Sequence, residues 1–316
     1  MRFAAPLALS AVLFFFFVAS ASSDEQQHDD PLRGAFAQWM RTHAKSYSNE
    51  EFVFRWNAWR ENHRFIEEHN RQNHSYHLAM NQFGDLTADE FQTLYTPNLG
   101  RGPLTADDNS TATPPILKEK ATFALACVDW RQTTPRVKNQ GQCGSDYAFS
   151  ALGALEGMLS RKYGRQGFDL SEQNIVDCSG PQGNYGCNGG FMTACYEYVK
   201  KSGGVNYAVN YPYTGQQGQC RFNPNSKVGL SSYAVIPYGS EQALEQALAT
   251  VGPVAVAVDA SLPSFRFYSA GIYVEPSATP TNLATLWLPL VTARRMAWRT
   301  TSSRTRGALV GAKGAT

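Results

Sequence analysis

The sequence predicts an α+β fold, helical over most of its length and strand-rich towards its later part. Three observations predict it. Apolar residues recur at helical spacing over 31–42, 50–71 and 148–163. Two further helices follow, a capped one over 170–178 and an alanine-rich one over 241–250. A dense β-branched run, 254–259, then opens a strand pattern that continues over 265–274. Helices followed by strands read as α+β. With 316 residues, the chain has room for one large domain or two smaller ones.

Residues 1–21 read as a secretory signal. Arg2 gives the positive start, Phe14 to Phe17 sit in a mostly apolar run, and Ala19-Ser20-Ala21 is a small-x-small cleavage site. The run falls short of the roughly 20 residues a membrane span needs, so no stable membrane anchor is expected. Residues 24–30 form a polar, acidic leader. In 31–42, Leu32, Phe36, Trp39 and Met40 share one side. In 50–71, Phe52, Trp56, Trp59 and Ile66 form an apolar stripe that calls for a partner surface. Residues 76–80 read as a short strand, and 87–93 as a short helix capped by Thr87.

The long helix carries Glu51, Arg55, Trp59, Asn62, Ile66 and Asn70 at helical intervals. This resembles the ERFNIN pattern of cathepsin L-like propeptides, with tryptophan in the aromatic slot. Asn81, Phe83 and Asp85 resemble the companion Gly-x-Asn-x-Phe-x-Asp motif, although Ala79 takes its first glycine. The resemblance implies a helical, inhibitory propeptide over 31–95, preceding a papain-like cysteine peptidase domain. That domain is expected to have two lobes, one helical and one rich in strands. Residues 96–121 read as an exposed linker and maturation region, rich in Pro, Gly, Ser, Thr and Asp. Val128-Asp129-Trp130-Arg131 resembles the start of mature enzymes, so the peptidase domain is placed at 122–283.

Everything after that turns on the glycine-spaced loop 137–145 and the helix it feeds. Cys143-Gly144-Ser145-Asp146-Tyr147 fits four of the five positions of the papain and cathepsin signature C-G-[SA]-C-[WY]. The misfit is the nucleophile. A helix start lowers a cysteine's pKa and frees a strongly nucleophilic thiolate. An aspartate carboxylate is already ionised, yet it is far less reactive towards an amide and forms no thioester. Asp146 is, by contrast, well suited to opening a helix. The resemblance implies that Gln140 donates to the oxyanion together with the backbone N–H of residue 146. It also implies that Gly189 and Gly190 hold the substrate backbone, with Phe191, Met192 and Ala257 lining the pocket for the substrate's second residue. Read from the residues alone, the loop is equally a disulfide-anchored turn, and Met192 is equally core.

Six cysteines, Cys127, Cys143, Cys178, Cys187, Cys195 and Cys220, allow 15 pairings if all are bridged. The resemblance implies Cys143 with Cys187 and Cys178 with Cys220, leaving Cys127 and Cys195 over. Secretion permits such bridges. A net charge of +2 gives no reason to expect a nucleic-acid partner. No metal and no cofactor are expected. Asn73-His74-Ser75 and Asn109-Ser110-Thr111 are glycosylation sequons.

A peptidase of this kind needs a histidine to take the thiol proton, about 130–150 residues after the nucleophile. The histidines are His28, His43, His63, His69, His74 and His77, all before residue 122. Past Leu283 the text also changes: Arg294, Arg295, Arg299, Arg304, Arg306 and Lys313 crowd it, and strand alternation fades. A one-base slip of the reading frame near Ala284 accounts for this. Read in the neighbouring frame with favourable third bases, codons 285–293 permit HAVAAVGYG and codons 300–316 permit DYFIKNSWGAGWGERGY. Both resemble the family's histidine and asparagine segments, and the hidden histidine falls at 285, which is 139 residues after Asp146. The expectation is therefore an inactive, secretory relative of cathepsin L-like peptidases with an incomplete last sheet. In the family, the partners are peptide or protein substrates. The alternative is a binding protein whose propeptide inhibits active relatives in trans.

Overall fold

The computed structural model describes residues 31–95, 130, 133, 137–237, 240–277, 283–286 and 309–315. The signal, the linker, the maturation boundary, Cys127, Asn109 and most of the tail lie outside these residues. Two compact units emerge, 1–46 and 47–316. In the first, α1 (Pro31–Thr42) stacks Phe36 on Trp39 with centroids 5.8 Å apart. The Lys45 ammonium lies over the Trp39 ring at 5.5 Å.

The second unit opens with α2 (Asn49–Arg71). Ser48 caps it by accepting the Glu51 N–H, and Trp56, Trp59, Asn62, Ile66 and His69 form its buried side. Strand β1 (Tyr76–Leu78) and helix α3 (Ala88–Tyr95) follow. A reciprocal capping box starts α3: Thr87 Oγ1 accepts the Glu90 N–H, and a Glu90 carboxylate oxygen accepts the Thr87 N–H.

The main core surrounds α4 (Asp146–Tyr163), which is buried on nearly all sides as a central helix should be. Its small residues admit close neighbours. A Cβ on Gly157 would lie 2.6 Å from the Pro253 ring, so glycine is what lets the chain before the next strand approach. Around α4 pack α5 (Glu172–Cys178), capped by Ser171, and α6 (Met192–Lys201). Then come the small antiparallel pair β2 (Val205–Asn206) and β3 (Lys227–Val228), strand β4 (Leu230–Ile236), and helix α7 (Glu241–Thr250) capped by Ser240. Strand β5 (Ala255–Asp259) and the short helix α8 (Pro263–Arg266) lead to β6 (Tyr268–Gly271).

Two expectations need correction. The strand pattern read over 265–274 is broken, because Pro263 opens a helical turn and Gly271, at φ +100°, ends β6 after four residues. Helix α6 and strand β4 carry little sequence signal of their own and are additions. The tail was expected to leave the last sheet incomplete, yet it supplies two strands, β7 (Leu283–Leu286) and β8 (Leu309–Ala315). The four-stranded sheet has the order β4-β8-β5-β7. Both additions pair antiparallel, with Ile236 opposite Leu309 and Ala257 opposite Thr285. The reason is general: an open sheet edge offers backbone N–H and C=O groups to any extended, proline-free segment.

Candidate active site

Asp146 is the first residue of α4 and is buried. The loop before it is held from several sides. Gly141, at φ +63°, turns the chain, and its N–H is taken by Asn139 Oδ1 at 2.8 Å. Cys143 is bridged to Cys187, and the Gly144 N–H donates to the Cys187 carbonyl at 2.9 Å. Ser145 does not cap α4. Its hydroxyl instead shares a 2.6 Å hydrogen bond with the Tyr213 hydroxyl, which donates to the Gln140 carbonyl at 2.8 Å. Gln140 turns its side-chain amide inward, Nε2 donating to the Cys143 carbonyl at 3.0 Å. An amide nitrogen carries two hydrogens, so one is fixed and its direction is set for the other.

Beneath this loop, Lys138 Nζ meets three carboxylates: Glu156 and Asp169 at 2.8 Å and Glu172 at 2.7 Å. Glu156 also accepts the Leu170 N–H at 2.7 Å, tying α4 to the start of α5. One ammonium balances only part of this charge. The carboxylates hold Lys138 firmly protonated despite its burial, while burial holds the proton on Glu156 and pushes its pKa up to about 8, helped by the like charge of Glu172. The two shifts agree once the cluster is counted as one cation among three acids.

The glycine-rich loop is equally fixed. Tyr185 and Gly189 close a turn at 2.9 Å, and the Tyr147 hydroxyl donates to the Gly186 carbonyl at 2.8 Å. Gly189 has φ +103°, which favours glycine. A Cβ on Gly190 would lie 2.3 Å from Asn184 Oδ1, the atom that accepts the Phe191 N–H. The structure thus brings Gln140, Asp146, Gly189 and Gly190 to the linked loops at the head of α4. Phe191 is half-buried at the entry to α6. Met192 is buried in the main core, its sulfur accepting the Ser150 hydroxyl at 3.1 Å. Ala257 is half-buried against that same core, and its partner across the sheet is Thr285. Strand β7, which carries Thr285, contacts α4.

Both disulfides implied by the resemblance are present, Cys143–Cys187 and Cys178–Cys220. Cys195 is a buried thiol. Burial drives its pKa far up, with the charge of Asp146 adding to the shift, so it is no substitute nucleophile. Among the described residues, no group of His, Cys, Asp and Glu could hold a metal ion, and no helix is long and apolar enough to cross a membrane.

The propeptide motif explains itself as hydrogen bonding. Arg55 pairs with Glu51 and Glu90, both at 2.9 Å, and donates to the Asp85 carbonyl. Asp85 in turn accepts the Tyr47 hydroxyl at 2.7 Å. Asn62 Nδ2 donates to the Gly84 and Leu86 carbonyls, and Asn70 pairs both ways with Leu78. Trp59 and Ile66 are buried, and Phe83 packs edge-on against Phe91 at 5.2 Å. Asn81 donates to the Arg266 carbonyl at 2.7 Å. Strand β1 pairs antiparallel with β6, so the propeptide continues a strand of the domain that follows it. Lys138, Asn184, Tyr213 and Arg266 went unread in the sequence. Each works through a contact 18 or more residues away or through a chain reversal, which no local pattern announces.

A helical segment joined by strand pairing to a domain with a disulfide-pinned loop at a buried helix start fits one class, the propeptide-bearing papain-like folds. The chain belongs to the papain family of cysteine proteases: that family's model matches residues 125–287, and the cathepsin propeptide inhibitor domain matches residues 36–91. The chain is 42% identical to cathepsin L2 of Homo sapiens over 268 residues, covering 81% of this chain and 76% of that protein. It is 41% identical to procathepsin L of Mus musculus, with the same coverage. Among solved structures it resembles digestive procathepsin L 3 from the larval midgut of Tenebrio molitor, with TM-score 0.71 and 36% identity over 81% of this chain and 82% of that one.

Proposed function

We propose that this chain is a cathepsin L-like zymogen scaffold without peptidase activity of its own. The observation that carries the reading is Asp146 at the head of α4, at the position where the family signature has its nucleophilic cysteine. A carboxylate cannot form the thioester, and no histidine follows residue 77 to act as base. A frame slip near Ala284 would account for the second loss. The family match ends at residue 287, and Thr285, where the neighbouring frame permits histidine, pairs with Ala257 across the sheet. Entry into the secretory pathway is supported by the apolar N-terminal run and by two disulfides, which persist in oxidising compartments. The test is direct. Purified, processed protein is assayed against a dipeptide-amide dye. No turnover is expected, and a rate abolished by Asp146→Ala would refute the proposal.

A second reading is favoured by the intact ERFNIN network and the β1–β6 pairing: the propeptide serves as an inhibitor of active relatives in trans. Residues 24–115, added to an active cathepsin L-like peptidase, should then slow it. Full activity at micromolar propeptide would dismiss this role.

A further inference from the structure

Arg266 is 6% exposed, and among the described residues no carboxylate pairs with it. This sets it apart from Lys138, with three carboxylates, and Arg55, with two. A buried charge without a counter-charge is costly unless its N–H groups are met. The propeptide supplies acceptors to both Nη atoms. Nη2 donates to Asn62 Oδ1 at 2.8 Å, and Nη1 donates to the carbonyls of Leu86 and Thr87 at 3.1 and 3.0 Å. The guanidinium also lies over Phe91 at 5.5 Å and over Phe267 at 4.4 Å. Nε has no hydrogen-bond partner.

The acceptors are set in place by the propeptide itself. Asn62 Nδ2 is occupied by the Gly84 and Leu86 carbonyls, which fixes Oδ1 towards the arginine. The result is a three-oxygen cup with an aromatic wall, matched to a planar fork of donors. An apolar side chain in that cup would leave Asn62 Oδ1 and the Thr87 carbonyl without this donor.

We propose that Asn62, Leu86, Thr87 and Phe91 form an arginine reader, so that this propeptide selects peptidase domains presenting a guanidinium at the position of Arg266. Arg266 is thereby the specificity-determining residue of the propeptide interface, in cis here and in trans towards any papain-like domain that offers the same group. The inference does not depend on whether the chain cleaves peptide bonds.

The test is a double-substitution cycle on the intact full chain, read by native-state hydrogen exchange. The reporters are the β1–β6 amides and the N–H of Ala79, which donates to the Phe267 carbonyl. Arg266→Met and Asn62→Ala should each speed reporter exchange about tenfold or more, the size expected for hydrogen bonds to a charged group. Amides of α4 should not change. The double variant should exchange little faster than either single one. Independent, multiplying effects, or an Arg266→Met protein with wild-type exchange, would overturn the reader. If Arg266→Met fails to fold, Arg266→Lys replaces it in the cycle. Lysine keeps the charge without the fork and should still loosen the reporters, so wild-type exchange there counts equally against the proposal.

Discussion

At the scale of single residues, Glu156 has the most consequence for behaviour in solution. Burial raises its pKa in the folded chain from about 4.5 to about 8. The proton is therefore bound more tightly in the folded state than in the unfolded one. The stability it confers is complete below the unfolded value and is lost as pH rises through the folded value. Urea midpoints should fall between pH 5 and 8, with a slope of at most about 1.4 kcal/mol per pH unit. Glu156→Gln keeps an acceptor for Lys138 and the Leu170 N–H while removing this titration, so its midpoints should fall less steeply over that window than those of the wild type. A wild-type midpoint that rises with pH there would contradict the assignment. Gly190 makes a steric counterpart. Gly190→Ala drives a methyl into Asn184 and Tyr147, and thermal denaturation should register a loss of about 1–3 kcal/mol.

At the scale of elements, legibility divides by the range of the interactions involved. The helix over 31–42 was readable from its period, and that over 50–71 from a period and a cap that lie within a few residues of each other. The same holds for 241–250, with Ser240 ahead of an alanine-rich run. The helix over 192–201 was not legible, because it is short and Phe191 ahead of it offers no capping side chain. At the site, the loop residues around Asp146 were legible from a local signature. The clamp of Tyr213 on Gln140 and Ser145, which joins residues about seventy positions apart, was not. The β1–β6 pair is also a tertiary event and yields its own prediction. A Cβ on Gly271 would lie 2.5 Å from the Ser75 carbonyl oxygen, and φ there is +100°. Gly271→Ala should therefore release β1 selectively. Amide exchange at 76–78 should rise while α5 keeps its protection, and unchanged exchange at β1 would show that the pair tolerates the methyl.

At the scale of the whole molecule, the disulfides set stability, and the proposed loss of two catalytic groups sets what can be restored. Cys178 and Cys220 close a loop with a sequence separation of 42, for which chain entropy gives about 4 kcal/mol. Replacing both by serine should lower the urea midpoint accordingly while α4 stays helical by circular dichroism. Activity should not return piecemeal. Asp146→Cys alone supplies sulfur without a base, and a tail rewritten in the neighbouring frame supplies imidazole without sulfur. Turnover of a peptide dye is expected only when the two changes are combined, and activity from Asp146→Cys alone would reveal another proton acceptor. The sheet adds a last point. Strand β8 lies between β4 and β5 and pairs antiparallel with both. A chain whose last sheet is filled in this way presents fewer open strand edges to its neighbours, and so should join them less readily than one cut short before Leu309.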